Sequence, residues 1–232
     1  FTQLFVPQAS QSSQDRRAEL DVRLAVPSAQ SACGMEDFMK LLIVVDMQND
    51  FVTGSLGTKE AQAIVENVVC KIKETPAEQI YVTQDTHSEQ YLQTKEGLHL
   101  PVAHCIEGTN GHCLCPAVEQ ALKEKQVDAA RKIQKPTFGS MELIEKLRSD
   151  EKILGDSNLQ IELVGLCTGI CVLSNAILCK AAFPEADVIV DAAACACVTP
   201  ASHDTALAAM KLCQIEVEKE GKEPWRNENI ES

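Results

Sequence analysis

Aromatic residues make up only 4% of this 232-residue chain, with one Trp, two Tyr and six Phe. That is too few for a platform on which nucleic-acid bases stack. Basic charge is also scarce: 21 Lys and Arg face 34 Asp and Glu, for a net charge of −13 and a pI of about 4.8. Nucleic acid and anionic membrane surfaces both need basic patches, so neither is expected as a partner. No apolar run reaches the roughly 18–20 residues of a membrane span. No Gly-x-Gly-x-x-Gly follows the first strand, and Gly54-Ser-Leu-Gly57 has the wrong spacing for a dinucleotide fingerprint. A Walker A sequence and a Gly-x-Ser-x-Gly elbow are missing as well. The chain lacks a Cys-x-x-Cys pair, which argues against thiol redox chemistry.

What is present is an ordinary globular composition, 45% hydrophobic and 24% charged, long enough to bury a core without staples. The 11 cysteines are odd in number. Most are read as reduced, small hydrophobes of an intracellular protein, so a cytoplasmic location is expected. The chain starts at Phe1 rather than Met, which is read as a fragment, a processed end or an artefact. Residues 1–38 are rich in Ser, Gln and Ala without a sustained period, and are expected to be a disordered extension, with an organellar targeting segment as the alternative. Asp15, Glu19 and Asp21 fit poorly with an organelle transit peptide. The domain is expected over 39–217 and a polar, loose tail over 218–232.

From residue 40 onward aliphatic runs alternate with helical patterns. Lys40–Asp46, Gln79–Asp85, Ala130–Lys135, Gln160–Leu166, Ala186–Asp191 and Cys213–Val217 read as strands. Lys59–Glu74, Pro116–Lys125, Gly139–Asp150, Ile170–Phe183 and Pro200–Leu212 read as helices, with Thr86–Gly111 a long loop. Strands that are apolar throughout belong to a parallel sheet covered on both faces. The expectation is an α/β, three-layer Rossmann-like fold with a mostly parallel sheet of about six strands.

Open parallel sheets bind ligands beyond the carboxyl ends of their strands. The residues expected there are Asp46, Asp85, Lys135, Cys171 and Asp191. Cys171 stands at the start of a helix, where the dipole favours a thiolate, and Thr168-Gly169 make a turn able to aim N–H groups into a cleft. It reads as a nucleophile or as one more buried thiol. Asp46 reads as its general base or as a loop cap. Lys135, followed by Pro136, reads as a thiolate partner or as a surface lysine. Asp85-Thr-His87 puts two ligand-type side chains on one face of an extended segment, and His104 offers a third. They read as a divalent metal site or as loop residues. His112-Cys-Leu-Cys115 is a weaker metal tract with no distant partner pair.

Taken together, Asp46 in DMQNDF, Lys135 in KPTFGS and Cys171 in GLCTGIC resemble the Asp–Lys–Cys triad of the nicotinamidase/isochorismatase cysteine hydrolases, over about Lys40–Val217. The chain is similar to the nicotinamidases in particular through TQDTH and AHCIEGTNG. The resemblance implies hydrolysis of nicotinamide to nicotinate and ammonia through a Cys171 thioester, a step of NAD metabolism. It implies a divalent metal, zinc ahead of iron or manganese, held by Asp85, His87 and His104. It implies an oxyanion hole from the backbone N–H groups of Cys167 and Cys171, a cis peptide at Leu166–Cys167, and Phe51 as a substrate-binding residue. The partner it implies is a small-molecule substrate, and it admits a homo-oligomer. The alternatives are an isochorismatase-like hydrolase of another small substrate and a catalytically silent binding relative. Three positions depart from the family pattern. No further His follows His87 over Ser88–Gln93, Leu100–Ala103 contains no Trp to stack on a pyridine ring, and Gly169 stands where many relatives carry Asp.

Overall fold

The computed structural model describes residues 39–150, 153 and 158–226. The expected extension over 1–38 and the end of the tail, 227–232, lie outside the described residues. Six strands, β1 (Met39–Val45), β2 (Ile80–Asp85), β3 (Lys132–Lys135), β4 (Leu159–Leu166), β5 (Asp187–Ala196) and β6 (Glu216–Glu218), form one sheet in the order β3-β2-β1-β4-β5-β6. Every pairing is parallel. The switch in strand order between β2 and β4 falls at central β1, the place where such sheets open a crevice.

Period-two alternation splits the continuous aliphatic runs between two cores. Leu41, Ile43 and Val45 of β1 face one cluster, which helices α6 (Met141–Ser149), α7 (Leu173–Ala182) and α8 (Pro200–Leu212) cover through Leu143, Leu147, Ala176, Leu207 and Met210. Leu42 and Val44 face the other, covered by α2 (Lys59–Ala63), α3 (Val65–Glu74) and α5 (Pro116–Glu124) through Ile64, Val68, Ile72, Val118 and Leu122. Two short helices, α1 (Asn49–Val52) and α4 (Lys95–His99), sit in loops. No helix among the described residues is long and apolar enough to cross a membrane.

Local chemistry sets most boundaries. Helix α8 begins where expected because Thr199 and Ser202 form a reciprocal capping box ahead of Pro200. The Asp128 carboxylate accepts from Ala130 N (2.9 Å) and winds Ala129–Arg131 into a 3-10 turn, which shortens β3. Gln214 at φ 61° belongs to the turn after α8, so β6 starts later than expected. The helix expected over Lys59–Glu74 is broken at Ile64, with neither Pro nor Gly to mark it. Gly165 has φ 116°, and a Cβ there would lie 2.1 Å from Val45 O, so only glycine lets β4 lie this close to β1.

Two expectations need correction. Asp191 is not at a strand end: β5 continues through Ala192–Ala196, and small residues gave that extension no β signal. Its carboxylate is buried against Lys71 (2.9 Å) and Lys219 (2.7 Å). Nor is the stretch after Glu218 loose as far as it is described. Glu223 and Trp225 are buried, and Trp225 joins the second core with the large apolar surface of its indole.

Candidate active site

Strand register brings the triad together. Val45 pairs with Thr83 and Asp85 with Lys135, so the carboxyl ends of β1, β2 and β3 lie side by side. Asp46, one residue past β1, has φ 49°, which turns its side chain out of the strand path. Its N–H donates to Thr83 O (3.1 Å), and Thr83 Oγ1 donates to Asp46 Oδ1 (2.7 Å). Lys135 Nζ lies 2.6 Å from Asp46 Oδ2, 3.6 Å from Asp85 Oδ1 and 3.6 Å from Cys171 Sγ. Asp46, Lys135 and Cys171 are all buried.

Cys171 sits in a π-helical turn, Thr168–Val172, that opens into α7. Such turns often mark functional sites. The turn follows a cis Leu166–Cys167 peptide, and Cys167 O accepts from both Ile170 N (3.0 Å) and Val172 N (3.1 Å). Burial, and then the Asp46 charge, push the Cys171 thiol well above its ordinary value, with Lys135 pulling the other way. Burial likewise raises the Asp46 carboxyl against Lys135. Burial opposes charge on Lys135, yet Asp46, Cys171 and Asp85 together raise its ammonium. The arrangement sets a thiol, a carboxyl group and an ammonium in one buried cluster, the groups that proton transfer to and from a nucleophile needs.

Asp85, His87 and His104 form a second cluster, with one ligand atom from each lying within 4.8 Å of the others. Among the described residues no other such group occurs, and the His112–Cys115 tract does not form one. His112 Nε2 instead bonds to Thr86 Oγ1 (2.9 Å). Asp85 Oδ2 lies 2.8 Å from His87 Nε2 and 3.5 Å from His104 Nε2. His104 Nδ1 bonds to Val102 O (2.8 Å), which aims Nε2 inward. Burial opposes charge on Asp85, but His104, His87 and Lys135 hold its carboxyl well below the usual range. His87 Nε2 is buried and makes no directed hydrogen bond despite that short distance. A buried nitrogen left in this way, facing a carboxylate and a second imidazole, fits a divalent ion with N/O preference.

Several contributors had no sequence signal. Glu96 Oε1 approaches His87 Nε2 (3.7 Å) and His104 Nε2 (4.0 Å), presented by α4, which Thr94 caps. Gln48 accepts from Asp85 N (2.7 Å) and donates to Asp85 O (2.8 Å), locking the end of β2 to the loop after Asp46. Asn175 donates to Cys171 O (2.8 Å) and Phe138 O (3.2 Å) and accepts from Ser140 N (2.9 Å), tying the Cys171 turn to the loop after Lys135. A DMQNDF-type loop or an Asn inside a helix shows such long-range roles only when folded.

The cavity before Cys171 has a volume of about 230 Å³ and an apolar lining that includes Phe51, Leu100, Phe138, Ile170 and Val198. It is smaller than the roughly 300–1,000 Å³ of drug-sized ligand pockets, so it suits a single ring. Asp85, Glu96 and His104 line it as well. The Phe51 ring lies 5.4 Å from that of His104, and Tyr91 packs against both His87 and His104 at 4.6 and 4.8 Å.

This chain is 30% identical over 147 residues, 60% of its length and 76% of the relative's, to the uncharacterized isochorismatase family protein PncA of Bacillus subtilis (strain 168). Its structure resembles that of nicotinamidase PncA from Bacillus subtilis, with a TM-score of 0.64 and 26% identity over 77% of this chain and 98% of that one. It also resembles the pyrazinamidase/nicotinamidase from Streptococcus mutans UA159, with a TM-score of 0.65 and 25% identity over 77% and 99%. The model of the isochorismatase domain matches residues 40–219, the stretch that carries the sheet, the triad and the imidazole cluster, and the chain therefore belongs to the isochorismatase family.

Proposed function

We propose that this protein is a metal-containing cysteine amidohydrolase that converts nicotinamide to nicotinate and ammonia. One observation carries the reading. A carboxylate and an ammonium, Asp46 and Lys135, are buried behind a cavity-lining thiol, Cys171, and an imidazole–carboxylate cluster borders the same cavity.

Asp46 takes the Cys171 proton while Lys135 stabilises the emerging thiolate. Sγ attacks the carboxamide carbon, and the N–H groups of Cys167 and Cys171 hold the oxyanion. The C–N bond breaks as Asp46 returns the proton to the leaving ammonia. Water then attacks the thioester, Asp46 again acts as base, and the acid and the free thiol are released. Asp85, His87 and His104, with Glu96 beside them, are the residues that would hold the metal, and zinc matches this donor set, with iron and manganese as alternatives. When bound, a divalent ion there supplies a Lewis-acid contact for the pyridine nitrogen. Phe51 and Phe138 supply the aromatic walls that the Trp-less stretch Leu100–Ala103 does not.

Ammonia release should be measured over a panel of aromatic carboxamides, with isochorismate consumption followed in parallel. Nicotinamide is expected to give the highest kcat/KM. Isochorismate turnover without amide turnover would overturn the proposal in favour of the vinyl-ether hydrolase. No turnover of any compound would favour a silent binding relative.

A further inference from the structure

A second array of groups lies behind the nucleophile turn. Thr168 Oγ1 is 2.8 Å from His203 Nδ1, and His203 Nε2 is 3.2 Å from Glu223 Oε1. His203 comes from α8 and Glu223 from the segment after β6. Arg226 binds Glu223 and also Asp204. Trp225 packs edge-on against the His203 ring at 5.3 Å, beneath the Arg226 guanidinium at 4.6 Å.

The partners fix the proton positions. Glu223, clamped by Arg226, is a carboxylate and can only accept, so His203 Nε2 carries the hydrogen. Nδ1 of a neutral ring is then an acceptor, and the Thr168 hydroxyl donates to it. Burial also disfavours the charged ring, outweighing Glu223. The result is a one-way chain from hydroxyl to imidazole to carboxylate, the same order of groups as in a serine-hydrolase triad. It cannot be a second nucleophilic centre, because Thr168, His203 and Glu223 are each 0% exposed and none lines the cavity.

Thr168 lies between Cys167 and Cys171, so a hydrogen bond that fixes its side chain also fixes the turn. We propose that His203 and Glu223 are positioning residues that, through the Thr168 hydroxyl, hold the nucleophile turn in its reactive geometry. The inference rests on Cys171 being the nucleophile of the proposed reaction, and it gives the segment after β6 a role in that chemistry. A displacement of about 1 Å at a reacting group can cost on the order of a hundredfold in rate.

The test compares Thr168→Val, Thr168→Ser and Glu223→Gln in the full chain. Two readouts are used: alkylation of Cys171 by iodoacetamide, followed at its own peptide, and kcat and KM for nicotinamide. Trp225, the single tryptophan, reports by its fluorescence whether the segment stays docked. Val68→Ala, in the opposite core, serves as the control for general loss of stability. Thr168→Val and Glu223→Gln are expected to slow alkylation and lower kcat by about tenfold or more, with KM changed by less than about twofold. Thr168→Ser, which keeps the hydroxyl, should retain most of the rate. The inference is overturned if folded Thr168→Val alkylates at the wild-type rate, or if Val68→Ala loses as much reactivity for the same fall in Tm. Alkylation does not depend on the substrate, so it decides the matter even if nicotinamide proves not to be turned over.

Discussion

Lys135 Nζ and Asp46 Oδ2 are 2.6 Å apart with both side chains almost wholly removed from solvent, so the two charges are each other's main solvation. Removing one partner of a buried pair strands the other and typically costs about 3–5 kcal/mol. Lys135→Ala should therefore lower Tm as well as turnover, whereas Asp46→Asn, which keeps the shape, should lower turnover with the smaller stability loss. Thermal melts beside kinetics check this, and equal melting of Lys135→Ala and wild type would show that the pair is not a coupled unit.

Cys171→Ala should fold as the wild type does and lose on the order of 10³–10⁶ in rate. Combining it with Asp46→Asn should add little, because groups that act as one unit fail together. Ordinary turnover by the folded single variant would end the thioester mechanism, and deficits that multiply would separate the two residues.

Metal analysis of purified protein should find about one divalent ion per chain, the number a single three-residue cluster supports. His87→Ala should lose it, and turnover should track metal content on removal and reconstitution. Full nicotinamidase activity from metal-free wild type would refute the assignment of Asp85, His87 and His104.

Phe51 lines the cavity and lies against His104. Phe51→Ala should raise KM for a ring amide more than it lowers kcat, since the ring contributes binding shared by ground and transition states. Steady-state kinetics that show a fall in kcat alone would count against a substrate-binding role.

The network in which Lys71 and Lys219 meet the buried carboxylates of Glu162 and Asp191 makes a prediction about acid stability. Burial would raise the Asp191 carboxyl, but Lys219 and Lys71 hold it below its ordinary value. With the folded value depressed, the stabilisation is present above the unfolded value of about 3.9 and is lost as pH falls through the folded one. Melting followed from pH 6 to about pH 3 should give a steeper acid limb for wild type than for Asp191→Asn. Superimposable limbs would mean that the network contributes nothing to the acid transition.

Much of the site was legible because parallel α/β sheets place function at strand ends, and β1, β2 and β3 each announce their ends with a charged residue. Asp191 misled for the same reason: an acid after an aliphatic run looks like a strand end unless the alanines that follow are known to stay in the sheet. Glu96, Gln48 and Asn175 left no signal, since an isolated Glu, Gln or Asn reads as an ordinary polar residue until a loop or helix brings it to its partner.

The sequence by itself determined the layered fold, the order of its elements and the candidates Asp46, Lys135 and Cys171, because hydrophobic period and residue type are local properties that survive in one dimension. Only the tertiary structure decided which charges share a rung, how Glu96 joins the two imidazoles, and that residues after β6 reach back through His203 to Thr168. Those contacts depend on strand register and on side-chain direction across the sheet, and a hydrogen bond between residues far apart in the chain exists only once backbone geometry brings donor and acceptor within about 3 Å.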